Sequence, residues 1–257
     1  MCPAYAFSWL DSAMEATSFP FSVITAPGQR YHPAIVAQAL GTLLRMYPER
    51  LAISLGSGEA LNERITGESW PEKPIRNKRL RECAGVIKRL LAGEEVSSAG
   101  LVKINRAKLY TRPAVTPPIM CAALTQNTAA WAGTWADGLL TSYKTLEELE
   151  SIVSAFRESG GGDKPIHVKL TFSYARDENF AKSEAHDQWR FHCIEDSRLS
   201  EIDSVIGFDR ASEDITMKQV LSSMPVSNAT SYFVSLIHDI NQIGVNRIIL
   251  HNVGRNQ

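Results

Sequence analysis

A repeat in the order of hydrophobic patterns constrains this chain more than any other feature. Short apolar runs rich in β-branched residues recur, and after each one the periodicity changes from that of a strand to that of a helix. Residues 19–26 (FPFSVITA) form the first run, closed by Pro27-Gly28. Pro33 then stands at the first position of a helix, where its missing N–H is not needed. Ile35, Val36, Ala39, Leu40, Leu43 and Leu44 give that helix a wide apolar face, ending near Tyr47-Pro48. Residues 51–55 (LAISL) are the next strand, stopped by Gly56-Ser57-Gly58.

The alternation continues to the last residues. A helix over 74–91 places Leu80, Cys83, Ala84, Ile87 and Leu91 on one face, with Gly93 at its C-terminal cap. Residues 119–124 read as a strand, 125–137 as a short helix carrying Trp131 and Trp135, and 138–142 as a strand. Thr145-Leu146-Glu147-Glu148 has the form of a capping box and opens a helix running to the glycine cluster 160–162. A strand over 166–175, a helical stretch over 177–192 and a long loop with small helices over 196–207 follow. A helix over 228–242, capped by Gly244, leads into a strand at 247–251. This order predicts an α/β fold with six recognisable parallel strands and covering helices. No linker or internal repeat divides the chain, so it reads as one domain, 1–257. An open doubly wound sheet could also use six strands, so the count alone does not select a barrel.

Composition sets several function classes aside. Lys and Arg number 27 against 28 Asp and Glu, and no basic run is interleaved with aromatic residues, so nucleic acid is not an expected partner. Cys2, Cys83, Cys121 and Cys193 lie far apart without a CxxC pair, which suggests neither a metal site nor a disulfide framework. No run approaches the ~20 apolar residues of a membrane span, and the first residues lack the form of a signal peptide. A soluble cytoplasmic protein, with no membrane or metal partner, is the expectation.

Functional residues of parallel α/β folds gather where strands end and helices begin, and three such turns carry polar groups. In the first, Arg30 and His32 could contact a ligand, although His32 directly precedes Pro33 and could equally serve to start the helix. The second, Gly56 to Glu63, combines glycines with N–H groups at a helix start. Its carboxylates Glu59 and Glu63 would repel a phosphate, so Glu59 reads as a hydrogen-bonding or proton-handling group beside a ring system. In the third, Thr125 and Thr128 could face a phosphate together, or Thr125 could simply cap the helix. His186 and His192 are six apart, the wrong spacing for a paired metal site, and read as surface or structural residues. Trp131, Trp135 and Trp189 read as core or interface residues.

The segments Gln29–Ala39 (QRYHPAIVAQA), Tyr47-Pro48, GSGEALNE at 56–63, Trp70-Pro71, RLRE at 79–82, ADG at 136–138 and HNVGRNQ at 251–257 together resemble the luciferase-like flavin oxidoreductases. The nearest branch contains the dehydrogenases that use a deazaflavin, coenzyme F-420, on glucose 6-phosphate. The resemblance implies a (β/α)8 TIM barrel, usually dimeric, with the ring at the ends of the third to fifth strands. It implies a non-proline cis peptide at Val23-Ile24 behind the ring. Ala26, Gly58, Glu59 and Asn62 match cofactor contacts, and Glu59 matches a carboxylate of the active site. Thr125 and Thr128 match the hydroxyl residues that hold the FMN phosphate in luciferase. The deazaflavin sugar-phosphate enzymes carry a glycine pair where this chain has Leu124-Thr125, which puts FMN first and coenzyme F-420 second. Lys144 and, less securely, Lys218 fall where that dehydrogenase places lysines for the substrate phosphate.

The same resemblance places the family's first two strands before Met1, with the His and Trp that act beside the cofactor, and its last helix beyond Gln257. The barrel therefore reads as incomplete, with apolar edges that a second copy in a homodimer would cover. The expected function is a flavin-dependent oxidoreductase exchanging a hydride between FMN and a small organic substrate, or a monooxygenase. A deazaflavin-dependent sugar-phosphate dehydrogenase is one alternative, and a truncated, non-catalytic flavin-binding or assembly protein is the other.

Overall fold

Val23 and Thr25 are buried while Ser22 and Ile24 are exposed, the alternation that an extended chain half-covered by a core produces. They belong to strand β1 (Phe21–Thr25) in a computed structural model that describes residues 5–255. The chain forms two compact units divided between Ala122 and Ala123.

The first unit opens with helix α1 (Ala6–Ala16), whose Phe7, Leu10 and Met14 recur at helical spacing and are buried. The guanidinium of Arg50 holds the end of this helix, donating to the carbonyls of Met14 (3.0 Å), Thr17 (2.6 Å) and Phe19 (2.9 Å). After β1 come α2 (Pro33–Met46), β2 (Leu51–Leu55), the short α3 (Ala60–Glu63) and α4 (Lys73–Leu91). The unit closes with β3 (Val96–Ala99), β4 (Lys103–Ala107) and β5 (Ile119–Ala122). β1 and β2 pair in parallel from Phe21↔Leu51 to Thr25↔Leu55. β5 joins β2 in parallel from Ile53↔Ile119 to Leu55↔Cys121. Leu40, Ile53, Leu55, Ile87, Leu90 and Ile119 are fully enclosed. Cys83 and Cys121 lie in the same core, and burial pushes both thiols up to about 12.

β3 and β4 form an antiparallel hairpin that the hydrophobic pattern does not announce. One carboxylate organises its turn: Glu82 accepts from Ser98 Oγ (3.0 Å) and from the backbone N–H groups of Leu101 (3.0 Å) and Val102 (3.1 Å). His32 caps α2, its Nδ1 accepting from Ala34 N–H at 3.3 Å while Nε2 lies 3.2 Å from the Lys103 carbonyl. The helix-starting role is therefore the one that the structure gives His32.

The second unit repeats the alternation. It contains α5 (Gln126–Gly133), β6 (Gly138–Ser142), α6 (Leu146–Phe156), β7 (Ile166–Tyr174) and α7 (Glu178–Trp189). Three short helices follow, α8 (Asp196–Leu199), α9 (Val205–Ala211) and α10 (Met217–Ser223); α8 and the start of α9 fall in the loop expected over 196–207, and α10 lies beyond it. A two-residue strand β8 (Val226–Ser227), helix α11 (Thr230–Gln242) and β9 (Arg247–Asn252) complete it. β6, β8 and β9 each pair in parallel with β7. Leu139, Ile166, Val168 and Leu170 of the sheet are fully buried, as are Phe156 of α6 and Ile240 of α11.

All six expected strands are present, with ends displaced by at most two residues at β1 and β5. The helix expected over 125–137 stops at Gly133, because Gly133 leaves no space for a side chain against the Phe156 carbonyl and the chain turns there. Ile24 and Leu250 remain more than half exposed, at 58% and 55%. Among the described residues no helix is long and apolar enough to cross a membrane, and no group of three or more His, Cys, Asp and Glu could hold a metal ion.

Candidate active site

In the first unit the turn after β2 is tied to the end of β1, since Gly56 N–H donates to the Thr25 carbonyl at 3.0 Å. Gly58 has φ +84°, in the left-handed region that favours glycine. A Cβ there would stand 2.9 Å from Cγ of Glu63 and 3.1 Å from the Trp70 ring, so the position admits no side chain. The same Cβ would lie 3.4 Å from that of Ala26, which puts Ala26 and Gly58 side by side.

Glu59 ends the turn. Its carbonyl accepts the N–H groups of Asn62 (3.0 Å) and Glu63 (3.1 Å), starting α3, while its side chain makes no cap. The exposed Glu59 carboxylate is approached by Asn62 Nδ2 at 3.5 Å, so these two residues do meet. Val23 is buried and Ile24 points to the open face of β1. The cis peptide expected between them is not found: no peptide bond among the described residues is cis. Val23 and Ile24 continue the parallel register opposite Ile53 and Ser54, and an extended trans backbone satisfies that pairing.

Glu63, set aside by the sequence reading, is the organising group of this turn. Its side chain is only 2% exposed, its Oε2 accepts from the Arg30 N–H at 3.1 Å, and its Oε1 lies 3.6 Å from Arg30 Nε. Burial pushes its pKa up, opposed by Arg30 and Arg79 and aided by Glu59. Gln29 reaches the Glu63 carbonyl at 3.4 Å and takes a bond from Arg79 at 3.2 Å, while Arg76 stacks on Trp70 at 4.4 Å. Loops after β1 and β2 are thus held together through one buried carboxylate. The signal in the sequence was indirect: an acid at the end of a short polar helical turn looks like any solvated face, and only the Gly58 contact marks it as enclosed.

In the second unit Thr125 caps α5, its Oγ1 accepting from Thr128 N–H at 3.3 Å, and the two hydroxyls lie 3.0 Å apart. Thr125 borders an open cavity of about 380 Å³ that also reaches Thr145, Glu147, Glu148 and Ser151. Thr145 caps α6 through Glu148 N–H at 3.2 Å. The lysines expected at the substrate end part company. Lys144, two residues beyond β6, donates to Asp196 Oδ2 at 2.8 Å with both side chains largely covered, whereas Lys218 is exposed on the first turn of α10.

Around Lys144 the second unit gathers rings. Tyr143 N–H donates to the Lys169 carbonyl at 2.9 Å, which sets Lys169 of β7 level with the carboxyl end of β6. The Lys169 ammonium lies 5.1 Å from the centre of the Trp189 ring, and Trp189 packs edge-on to His251 at 4.9 Å. His192 stands 6.3 Å from Trp189, ring to ring. Burial first, then the charges of Lys144 and Lys169, pull its pKa down to about 4 against the pull of Asp196. His251 is lowered in the same way by burial and Lys169. Trp189 Nε1 and His192 Nε2 are both buried without a hydrogen-bond partner. His186, by contrast, is occupied by the Ile215 carbonyl at 2.9 Å.

The chain is similar to known proteins in both sequence and fold. Residues 6–216 match the family described as luciferase-like monooxygenase. An F420-dependent glucose-6-phosphate dehydrogenase of Mycolicibacterium gilvum is 30% identical over 269 residues, covering 98% of this chain and 79% of the relative. Among solved structures, an F420-dependent secondary alcohol dehydrogenase in complex with an F420-acetone adduct superposes with a TM-score of 0.89 at 25% identity, over 98% of this chain and 80% of that one. A coenzyme F420 dependent tetrahydromethanopterin reductase from Methanopyrus kandleri shares the fold, with a TM-score of 0.70 at 21% identity over 90% of this chain and 78% of the other.

Proposed function

The chain belongs to the luciferase-like monooxygenase family, and from that membership we propose that it is a deazaflavin-dependent oxidoreductase, exchanging a hydride between coenzyme F-420 and a small organic substrate. Its alternating parallel strands and helices are those of the family's α/β barrel type. The observation that carries the reading is the breadth of its likeness to F420-dependent dehydrogenases, which extends over 98% of the chain in sequence and in structure alike. This reverses the order of cofactors read from Leu124-Thr125, which put FMN ahead of the deazaflavin.

The residues present fit such a group. In the first unit, the exposed side chain of Ile24 suits a flat ring, and Glu59 and Asn62 offer polar contacts for its edge. In the second, taken by itself, the Thr125 and Thr128 hydroxyls and the N–H groups that begin α5 suit a phosphate group. Bound deazaflavin would supply a two-electron acceptor for a hydride from a carbinol carbon, leaving this chain's residues to take up the hydroxyl proton. The protein's part is to orient, to exclude water and to place a proton acceptor. Glu59 is the proton-handling group of the first unit, an exposed carboxylate held beside Asn62.

Separate fluorescence titrations of F-420 and FMN into the purified chain test this. Saturable deazaflavin binding, with FMN weaker, is the expected result. FMN binding without deazaflavin binding overturns the cofactor, and the Thr125–Thr128 hydroxyl pair is the feature that favours this second reading. Binding of neither supports the non-catalytic alternative.

A further inference from the structure

We infer that Asp196 sets the substrate class of this site: by neutralising Lys144 it turns the substrate end of the second unit away from phosphate esters and toward small uncharged alcohols and ketones. The inference rests on the dehydrogenase reading above and refines it.

A phosphate monoester carries about two negative charges near neutral pH. Taking it out of water requires cations or charge-assisted donors that are not already matched within the protein. The cationic candidates gathered around Trp189 are Lys144, Lys169, His192 and His251, while Arg176 and Arg255, just past β7 and β9, are exposed and Arg255 is paired with Asp187. Lys144 is matched by Asp196 at 2.8 Å, with side chains 23% and 19% exposed, so its charge is answered before a ligand arrives. Lys169 sits over the Trp189 ring. Burial and the two lysines keep His192 uncharged at neutral pH, and His251 is pushed the same way. Lys218, the other lysine expected to meet a phosphate, lies on the exposed first turn of α10.

What the cluster does offer is neutral. Trp189 Nε1 is a single N–H donor, and His192 Nε2 is a donor or an acceptor according to its tautomer; neither has a partner in the protein. A buried polar atom left unmatched is unfavourable, and a hydroxyl or carbonyl oxygen satisfies it without introducing a charge. The surroundings are aromatic: Phe191 packs on Trp189 at 4.8 Å and His251 at 4.9 Å. Small uncharged oxygen-bearing molecules suit such walls; a dianion does not. Between the two dehydrogenases named above, this chemistry sides with the secondary alcohol enzyme rather than the sugar-phosphate enzyme.

The test has an arm that needs no cofactor. Inorganic phosphate is titrated into the wild-type chain, Asp196→Asn, and the double variant Asp196→Asn with Lys144→Gln, followed by phosphorus NMR. No saturable binding is expected to wild type, salt-sensitive binding to Asp196→Asn, and none to the double variant. In the second arm F-420 is supplied, and kcat/KM is compared for 2-propanol and glucose 6-phosphate. Wild type should prefer the alcohol, and Asp196→Asn should shift the ratio toward the sugar phosphate by about tenfold, the effect of one released charge. Phosphate binding by wild type, a wild-type preference for glucose 6-phosphate, or an Asp196→Asn variant that folds and changes neither quantity overturns the inference. The wild-type measurements decide even if the variant does not fold. Failure of F-420 to bind removes the dehydrogenase reading alone, because the phosphate titration still reports on Asp196.

Discussion

The turn after β2 is organised by Glu63, a carboxylate almost wholly enclosed, and the turn after β5 by Thr125, an exposed hydroxyl. Both begin a helix at the carboxyl end of a strand. The first is fixed by a buried acid that answers the Arg30 N–H and lies close beneath Gly58. The second is fixed by a cap whose hydroxyl bonds only its own helix and its neighbour Thr128. A buried charge cannot change partners without a large penalty, whereas an exposed hydroxyl can exchange a backbone partner for a ligand oxygen at little expense. The first turn is therefore a rigid platform, and the second an adaptable one.

That contrast predicts unequal responses to mutation. Glu63→Ala should be the most damaging, because it empties the space beneath Gly58 and leaves the Arg30 N–H unanswered. Loss of a buried side chain together with its hydrogen bond should reduce stability by about 3 kcal/mol, read from chemical denaturation. Gly58→Ala comes next, at about 2 kcal/mol, since alanine is strained at φ +84° and its Cβ meets Glu63. Thr125→Ala should remove about 1 kcal/mol, the usual value of an N-cap. If Thr125→Ala proved as damaging as Glu63→Ala, the distinction between platform and adaptable cap would fail. With Thr128→Ala added, the loss should appear in ligand affinity instead: roughly ten- to a hundredfold in cofactor binding, measured by fluorescence titration.

Opposite pH dependences sharpen the same comparison. Glu63 has a raised pKa, so its contribution is fully present below the ordinary carboxylate value of 4.5 and is lost as pH rises through the folded value. His192 has a pKa lowered from 6.5 to about 4, so its contribution is present above 6.5 and is lost as pH falls toward 4. Melting temperatures recorded from pH 4 to 8 should flatten on the acid side for His192→Gln and not for Glu63→Gln. Identical profiles for the two variants would remove the contrast.

The strand–helix order was legible because the six strands are short segments rich in apolar and β-branched residues, and burial on at least one face forces that pattern. The β3–β4 hairpin was not, since Val96–Ala99 and Lys103–Ala107 carry few apolar residues and take their geometry from the distant Glu82 carboxylate. Helix α1 did leave a signal in the spacing of Phe7, Leu10 and Met14. Within the site, Gly58 and Thr125 could be singled out because glycine and N-cap residues are chosen by local backbone needs. Glu63, Asp196 and His192 could not, because what sets them apart is the company they keep: Arg30 lies 33 positions from Glu63, and Lys144 lies 52 from Asp196. The peptide between Val23 and Ile24 shows the reverse error, where resemblance supplied a feature that the strand register does not contain.

The enclosure of Cys83 and Cys121 gives the first unit an internal clock. A thiol whose pKa lies near 12 has almost no thiolate at neutral pH, and at 0% exposure a reagent cannot approach it in the closed fold. Alkylation at either position must wait for the surrounding core to open, so its rate counts openings. Both cysteines lie before Ala123, and mass-resolved labelling of this pair therefore times the loosening of the first unit separately from events in the second.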